Sequence, residues 1–184
     1  MLAGTPMKTL LRIVLGLVVL VLALVAVAFL LPRTYRVERS TVINASPAVV
    51  FAQFGDLRAW KNWGAWQERD PGMKMTFSEK TTGVGAWSAW ESKSEGNGKM
   101  TFTVVEPAKS VTYALEFPDM GMGSEGSMTL QPADKGVKVI WVDAGDLGMN
   151  PMGRWFGLFV DRMIGPDFEK GLSNLKRLAE APPK

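Results

Sequence analysis

Residues 95–117 read EGNGKMTFTVVEPAKSVTYALEF, and this stretch decides the fold. Apolar and polar residues alternate on both sides of residues 107–109, a pattern typical of two strands that bury one face. Asn97-Gly98 favours a tight hairpin turn because both residues accept positive φ angles, and Pro107 marks a second turn. The stretch therefore predicts consecutive antiparallel hairpins with one apolar face.

The same alternation recurs along the chain on both sides of this stretch. Seven strands are predicted, at residues 34–43, 74–78, 86–91, 99–106, 110–117, 125–131 and 136–143. After the first strand, Ser46 provides a helix N-cap and Pro47 the first helical residue. A short helix is therefore predicted to about Asp56, followed by a second short helical turn over residues 57–60.

The C-terminal residues 152–180 carry apolar side chains at helical spacing, and Pro166 is predicted to bend or break this helix. A helix with a wide apolar stripe must bury it, and the apolar sheet face is the one surface large enough. We therefore predict an α+β domain over residues 34–180 in which the C-terminal helix packs on an antiparallel sheet. Residues 181–184 are expected to form a frayed tail.

Residues 13–31 read IVLGLVVLVLALVAVAFLL and contain no charged side chain. At about 1.5 Å per residue this run covers roughly 30 Å, the thickness of the hydrocarbon core of a bilayer. It predicts a single transmembrane helix after a short basic tail at residues 1–12. A cleaved secretory signal is the alternative, because Ala26-Val27-Ala28 resembles a cleavage site and Lys8 and Arg12 form a basic start. The length of the run favours the transmembrane helix.

The distribution of basic residues hardly separates the two orientations of this helix. Each side of the apolar run carries three basic groups: Lys8, Arg12 and the N-terminal amine before it, and Arg33, Arg36 and Arg39 after it. The short basic tail favours a cytoplasmic N-terminus and a domain on the outer side of the membrane. Protection of the domain from protease in right-side-out vesicles would contradict this orientation.

Composition excludes several classes of function. Lys8, Arg12 and Arg33 flank the apolar run and account for the excess of 21 basic over 18 acidic residues. The domain itself is therefore neutral and lacks the basic surface on which nucleic-acid binding depends. The chain has no Cys and no His, which excludes thiolate nucleophiles, imidazole bases, disulfides and the usual zinc sites. We expect no metal and no cofactor.

Four segments within residues 34–180 carry a resemblance to a known family. They are VERSTVINASPAVVF at 37–51, DL at 56–57 with Trp60 and Trp63, GVG at 83–85 before Trp87 and Trp90, and MIGPDFEKGL at 163–172. In this order they resemble the START-like (SRPBCC) superfamily, and within it the polyketide cyclase/dehydrase and lipid transport grouping.

The resemblance implies a helix-grip fold, in which a curved antiparallel sheet of about six or seven strands grips a long C-terminal helix. Two short helices follow the first strand. In relatives the space between sheet and helix holds lipids, sterols, polyketides or other apolar molecules. For an anchored member the resemblance also implies a location in the bacterial inner membrane. Carriers, cyclases, hydrolases and chaperone regulators share this fold, so the fold does not choose among them.

Seven Trp and eleven Met exceed what a tight aliphatic core requires, and Met adapts well to irregular cavity walls. These side chains either line a ligand cavity or fill the core. The residues predicted to lie near a pocket are Trp63, Trp66, Trp87, Trp90, Phe102, Tyr113, Met128, Trp141 and Phe156. The loops at 60–73 and 119–126 are rich in aromatic, Met and Gly residues and are the candidate entrances.

Asp143, Glu91 and Asp161 are the carboxylates expected closest to such a pocket. Two of them could serve as acid and base if burial separated their pKa values, whereas surface exposure or ion pairing is the simpler interpretation. The leading hypothesis is a membrane-anchored module that binds an apolar small molecule or lipid between sheet and C-terminal helix, with no catalytic role assigned. The alternatives are a cyclase- or hydrolase-like enzyme using Asp143 or Glu91 as base, and a protein-interaction module without a ligand.

Overall fold

A computed structural model of the chain describes residues 5–182. Its α-helices are α1 (Thr5–Ala28), α2 (Pro47–Phe54), α3 (Ala65–Arg69), α4 (Pro151–Gly157) and α5 (Val160–Ala179). Its strands are β1 (Thr34–Ile43), β2 (Lys74–Phe77), β3 (Trp87–Ser92), β4 (Gly96–Glu106), β5 (Ser110–Phe117), β6 (Met122–Pro132) and β7 (Val137–Asp146). Short 3₁₀ turns lie at Ala59–Asn62 and Pro118–Met120. The predicted cap of α2 is present, since the Ser46 side chain accepts a hydrogen bond from the Val49 amide.

Helix α1 extends away from the rest of the chain, because residues 7–27 are exposed and only Ala28 is buried. The helix begins inside the predicted basic tail and ends three residues before the apolar run does. Within residues 5–182, Met7–Ala28 is the one segment that is long and apolar enough to cross a membrane, and a signal sequence has the same properties.

The strands form one antiparallel sheet in the order β1-β7-β6-β5-β4-β3-β2. Strands β2 to β7 follow one another as a meander, and β1 closes the sheet beside β7. The alternation of side chains gives the sheet an inner face, which α5 packs against, and an outer face. This arrangement confirms the predicted α+β helix-grip fold.

One end of the sheet lies next to α1. Strand β1 begins there at Thr34, opposite Asp146 at the end of β7. The same end of the sheet contains the first residues of β6, β4 and β2 and the last residues of β5 and β3. We call this the α1 end of the sheet. The opposite end, where β1 ends at Ile43 and β7 begins at Val137, is called the far end.

Helix α5 runs unbroken through Pro166, so the predicted break is not at that residue. The chain breaks instead at Leu158 and Phe159, between α4 and α5. Proline removes one amide hydrogen bond, here the one to the Arg162 carbonyl. Because Arg162 and Pro166 are both exposed, water can bind the Arg162 carbonyl in place of the missing amide. The length of α5 is then determined by its packing on the sheet.

The β3–β4 hairpin turns at residues 93–95, earlier than Asn97-Gly98 predicted. The Ser92 hydroxyl closes this turn by accepting hydrogen bonds from the amides of Ser94 and Glu95. Gly96 then adopts a φ of 73°, which favours glycine. Side-chain hydrogen bonds to the backbone therefore set the turn, and Asn97-Gly98 belongs to β4.

Candidate functional site

Six aromatic side chains fill the space between the middle of the sheet and α5. We call them the aromatic cluster: Trp60, Trp63, Trp66, Tyr113, Trp141 and Phe168. Trp141 lies at its centre, with its ring stacked on Phe168 at a centroid distance of 4.0 Å. Its indole Nε1 donates a 2.7 Å hydrogen bond to the Tyr113 hydroxyl. Between the middle of the sheet and α5, the space predicted for a ligand is therefore occupied by these side chains.

The indole N–H groups of the other two buried tryptophans are also satisfied. Trp60 Nε1 donates to the Phe54 carbonyl at 2.9 Å, and Trp63 Nε1 donates to the Gln53 carbonyl at 2.8 Å. Both carbonyls belong to the last turn of α2, so α2 fixes the orientation of the two rings. A buried N–H without a partner is costly, and these bonds hold the cluster in a single arrangement.

The inner face of the sheet changes in exposure from one end to the other. Toward the far end it is sealed, since Ile43, Val111, Val137 and Val139 are each at most 2% exposed. Toward the α1 end, apolar residues of the same face are only half-buried. We call these residues the open face: Tyr35, Met75, Trp90, Met100, Leu115 and Phe117. The open face is a partly exposed apolar surface at the α1 end.

Aromatic rings lie flat on the sheet over three inner-face glycines. A side chain at Gly98 would collide with the Trp90 ring, and one at Gly145 would collide with the Tyr35 ring. Gly126 is covered in the same way by Tyr113 of the aromatic cluster. Strand glycine is often found where another group approaches the backbone closely. These three positions thus let wide rings form the floor of the face.

Asp143 is the carboxylate on this face, and its side chain lies between the aromatic cluster and the open face. It is 3% exposed. The Tyr35 hydroxyl donates to one of its oxygens at 2.9 Å, and the Ser124 hydroxyl donates to the other, also at 2.9 Å. Burial raises the pKa of Asp143, and the hydrogen bonds from Ser124 and Tyr35 oppose that rise.

This raised pKa makes the stability of the fold depend on pH. Between the ordinary pKa of 3.8 and the higher folded value, the folded chain binds more protons than the unfolded chain, so Asp143 lowers stability as pH rises through that window. Asp143→Asn removes the charge and keeps partners for Tyr35 and Ser124. We expect the stability of the variant, relative to wild type, to increase as pH rises from 3.8 toward neutrality.

Chemical denaturation at several pH values measures this difference, and Asp134→Asn in the exposed β6–β7 turn controls for the loss of a surface carboxylate. A difference between the Asp143 variant and wild type that stays constant with pH would show that burial does not raise this pKa.

The structure divides the predicted site residues into four groups. Those buried in the core are Trp63, Phe102, Tyr113, Met128 and Trp141. Trp66 and Trp90 are half-buried on the inner side, where Trp66 contacts Trp141 and Trp90 belongs to the open face. Trp87 points to the outer face, beneath Lys99, and Phe156 lies 44% exposed on α4.

The candidate bases are not brought together. Glu91 is exposed and alternates with the inward-pointing Trp90, so it lies on the outer face, opposite to Asp143. Asp161 is exposed at the start of α5 and pairs with Arg39 at 2.8 Å. Within residues 5–182, no group of three acidic side chains is placed to hold a metal ion.

Two surface concavities flank α5, and neither is lined by a residue of the open face. One, of about 230 Å³, is lined by Ala65, Glu68, Arg69, Asp167 and Lys170. The other, of about 210 Å³, is lined by Arg39, Ser40, Thr41, Glu169, Leu172, Ser173 and Lys176. Both have charged walls and are smaller than the roughly 300 Å³ typical of ligand pockets, so they do not fit an apolar ligand.

Solved structures share this architecture. Protein CV1439 from Chromobacterium violaceum is 20% identical with a TM-score of 0.58, over 82% of this chain and 100% of its own. Protein SA2116 of unknown function from Staphylococcus aureus is 11% identical with a TM-score of 0.61, over 80% of this chain and 94% of its own. The Aha1 dimer from Colwellia psychrerythraea is 17% identical with a TM-score of 0.55, over 77% and 96%. At these identities the likeness shows the fold alone.

Sequence comparison identifies the family. No curated protein matches the chain. The family model described as polyketide cyclase / dehydrase and lipid transport matches residues 34–180, which is the whole of the domain from β1 to the end of α5. The chain therefore belongs to the polyketide cyclase / dehydrase and lipid transport family.

Proposed function

We propose that this chain is a membrane-anchored module that binds an apolar small molecule or lipid on the open face. The observation that carries the proposal is the gradient of exposure along the inner face, from sealed at the far end to half-buried at the α1 end. A folded domain stabilises itself by burying apolar surface, and a contiguous apolar surface left partly uncovered is typical of a binding site. The family description includes lipid transport, which agrees with this assignment.

The position of the ligand differs from the one expected under the middle of the C-terminal helix. The aromatic cluster occupies that position, so the ligand would lie beside it, over β2 to β6. Met100 and Leu115 pair across β4 and β5 at the centre of this region. A ligand that covers these two side chains would remove their apolar surface from water, which stabilises the complex by about 25 cal/mol for each Å² buried.

A polar group borders the proposed site at one side. The hydroxyls of Tyr35 and Ser124 are half-buried, and both donate to Asp143. Because both carboxylate oxygens already accept hydrogen bonds, we assign Asp143 the role of holding these hydroxyls toward a polar end of the ligand. An apolar molecule with one small polar end fits this surface. No base role is assigned to Asp143 or Glu91.

Helix α1 would serve as the anchor in this proposal. Its apolar segment Met7–Ala28 has 22 residues and would span about 33 Å, enough for the hydrocarbon core. The domain also holds the end of this helix, since the indole N–H of Trp155 donates to the Leu24 carbonyl at 3.2 Å. These contacts favour a retained anchor over a cleaved signal. An outward-facing domain at a bacterial inner membrane stays a prediction.

Substituting one open-face residue tests the proposed function. Met100→Gln keeps the length of the side chain but places an amide under the ligand, which costs about 1–3 kcal/mol if the amide is left without partners. We expect about tenfold weaker binding of apolar molecules. Native mass spectrometry of the full chain, purified from membranes and released from detergent, measures the bound mass.

Thr101→Gln is the matched control, because Thr101 is half-buried on the opposite face of the same strand. Lipids that merely surround α1 would be retained equally by both variants. Equal occupancy of wild type, Met100→Gln and Thr101→Gln would therefore remove the open face as the binding site.

A further inference from the structure

We infer that α4 and the first turn of α5 form a second membrane-contacting surface, which holds the open face against the lipid bilayer. This inference rests on the proposed anchorage by α1. It concerns residues 149–163, which follow the last strand and precede the part of α5 that covers the sheet. We call these residues the α4 segment.

The α4 segment carries a concentration of exposed apolar side chains. Six of them are between 44% and 81% exposed: Met149, Met152, Phe156, Leu158, Phe159 and Met163. The outward positions later in α5 are mostly polar instead, as at Glu169, Lys170, Ser173 and Arg177, with Leu178 as the one large apolar exception among the described residues. An apolar surface that is confined to one segment and rimmed by polar residues is typical of a protein or membrane contact.

Contacts with α1 fix where this segment would lie relative to a bilayer. Trp155 Nε1 donates to the Leu24 carbonyl, and Arg154 Nη1 donates to the Phe29 carbonyl at 3.0 Å. The Arg154 guanidinium also lies 5.3 Å from the centre of the Phe29 ring. Leu24 is four residues before the end of α1, or about 6 Å along the helix axis. The α4 segment therefore lies beside the last turn of the membrane-spanning stretch.

This depth is the membrane interface, where the chemistry of the segment is common. Trp is favoured there because it combines an apolar body with a polar tip, and Trp155 is half-buried. Arg154 is buried, and its guanidinium ties the segment to the end of α1 through the Phe29 carbonyl. Amphipathic segments that lie in this plane bury their apolar side chains into the boundary between head groups and acyl chains. Trp155 therefore lies at the membrane depth that its hydrogen bond to Leu24 of α1 gives it.

The lipid bilayer is a better partner for this surface than another protein. Leu24 of α1 and the two residues that follow the helix, Phe29 and Leu30, are themselves 45%, 44% and 85% exposed, so the apolar surface continues from α1 onto the α4 segment. A bilayer that surrounds α1 necessarily reaches that surface. Arg33 is already paired with Asp146 at 2.7 Å, and within the described residues Arg162 is the one exposed cation of the α4 segment, against six exposed apolar side chains. Apolar burial, more than attraction to anionic lipid, would therefore dominate the contact.

Contact along the α4 segment would also orient the binding site. The open face lies at the α1 end of the sheet, and the far end lies nine residues along β7, about 30 Å away. With α1 and the α4 segment both at the membrane, the open face would border the bilayer while the far end faces water. An apolar ligand could then pass between membrane and site without crossing water.

Single-cysteine labelling of the full chain tests this inference, since the natural sequence contains no cysteine. Met152→Cys would carry an environment-sensitive nitrobenzoxadiazole label in phosphatidylcholine vesicles, with Met163→Cys as a second reporter on α5. Lys135→Cys in the far-end turn and Val18→Cys within α1 are the matched controls. We expect a blue-shifted emission at 152 and 163, loss of fluorescence with nitroxide-labelled lipids, and protection from iodide. The label at 135 should show the opposite behaviour.

The result separates this inference from the anchor on which it rests. Quenching by lipid at 18 with water-like behaviour at 152 and 163 would overturn the inference while the anchor stands. Protection from iodide at 152 without quenching by lipid would indicate a protein contact and would also overturn it. If the label at 18 is not quenched by lipid, the anchor fails and the inference fails with it.

Discussion

Trp141→Ala is expected to lower the free energy of unfolding by about 3–5 kcal/mol, the cost typical of removing a large buried aromatic side chain. Trp141 is 1% exposed and contacts Trp60, Trp63 and Trp66 while stacking on Phe168. The substitution would leave a cavity at the centre of the aromatic cluster and remove the hydrogen bond to Tyr113. Denaturant unfolding of the full chain in detergent micelles, followed by far-ultraviolet circular dichroism, measures the loss.

Trp87→Ala is the control for this change, because it removes the same side chain from the outer face of the sheet. Trp87 is half-buried, and its ring lies 5.6 Å from the Lys99 ammonium. Its removal should cost clearly less than removal of Trp141. Equal losses for the two variants would mean that the cluster is not the packed centre of the domain and that its rings can move aside.

Periodicity predicted those parts of the fold in which one face is buried along a whole strand. Strands β1 and β5 have the predicted bounds, because alternation runs uninterrupted from Thr34 to Ile43 and from Ser110 to Phe117. The break in the C-terminal helix and the β3–β4 turn lie at other residues than predicted, at 158–159 instead of Pro166 and at 93–95 instead of Asn97-Gly98. Both depend on contacts that local sequence does not show, namely the packing of α5 through Pro166 and the hydrogen bonds of Ser92.

Side-chain direction was partly readable from the sequence and was missed at Trp87. Trp87 and Trp90 lie three residues apart in one strand, so a period of two places them on opposite faces. The same rule extends the buried row of Tyr113 to Leu115 and Phe117, and that of Phe102 to Met100. These open-face residues could have been found by following the alternation toward the ends of the strands.

What periodicity could not give is which part of the inner face stays uncovered. That depends on where α5 crosses the sheet and on how far the Trp60 and Trp63 rings reach from the segment after α2. Both depend on tertiary packing between segments that are far apart in the sequence. For the same reason the sequence showed many Trp and Met residues but not that the tryptophans fill the gap under α5, while several methionines lie at the α1 end and on the α4 segment.

Photo-crosslinking from two neighbouring positions of β5 tests the central claim most directly. Leu115 and Ala114 are both half-buried, but Leu115 lies on the open face and Ala114 on the outer face. A benzophenone amino acid would replace each in turn in the full chain within native membranes. Irradiation should attach a lipid or other apolar small molecule at position 115 and give only background at position 114, as read by mass spectrometry of the tryptic peptides. Equal adducts at both positions, or none at 115, would contradict binding on the open face.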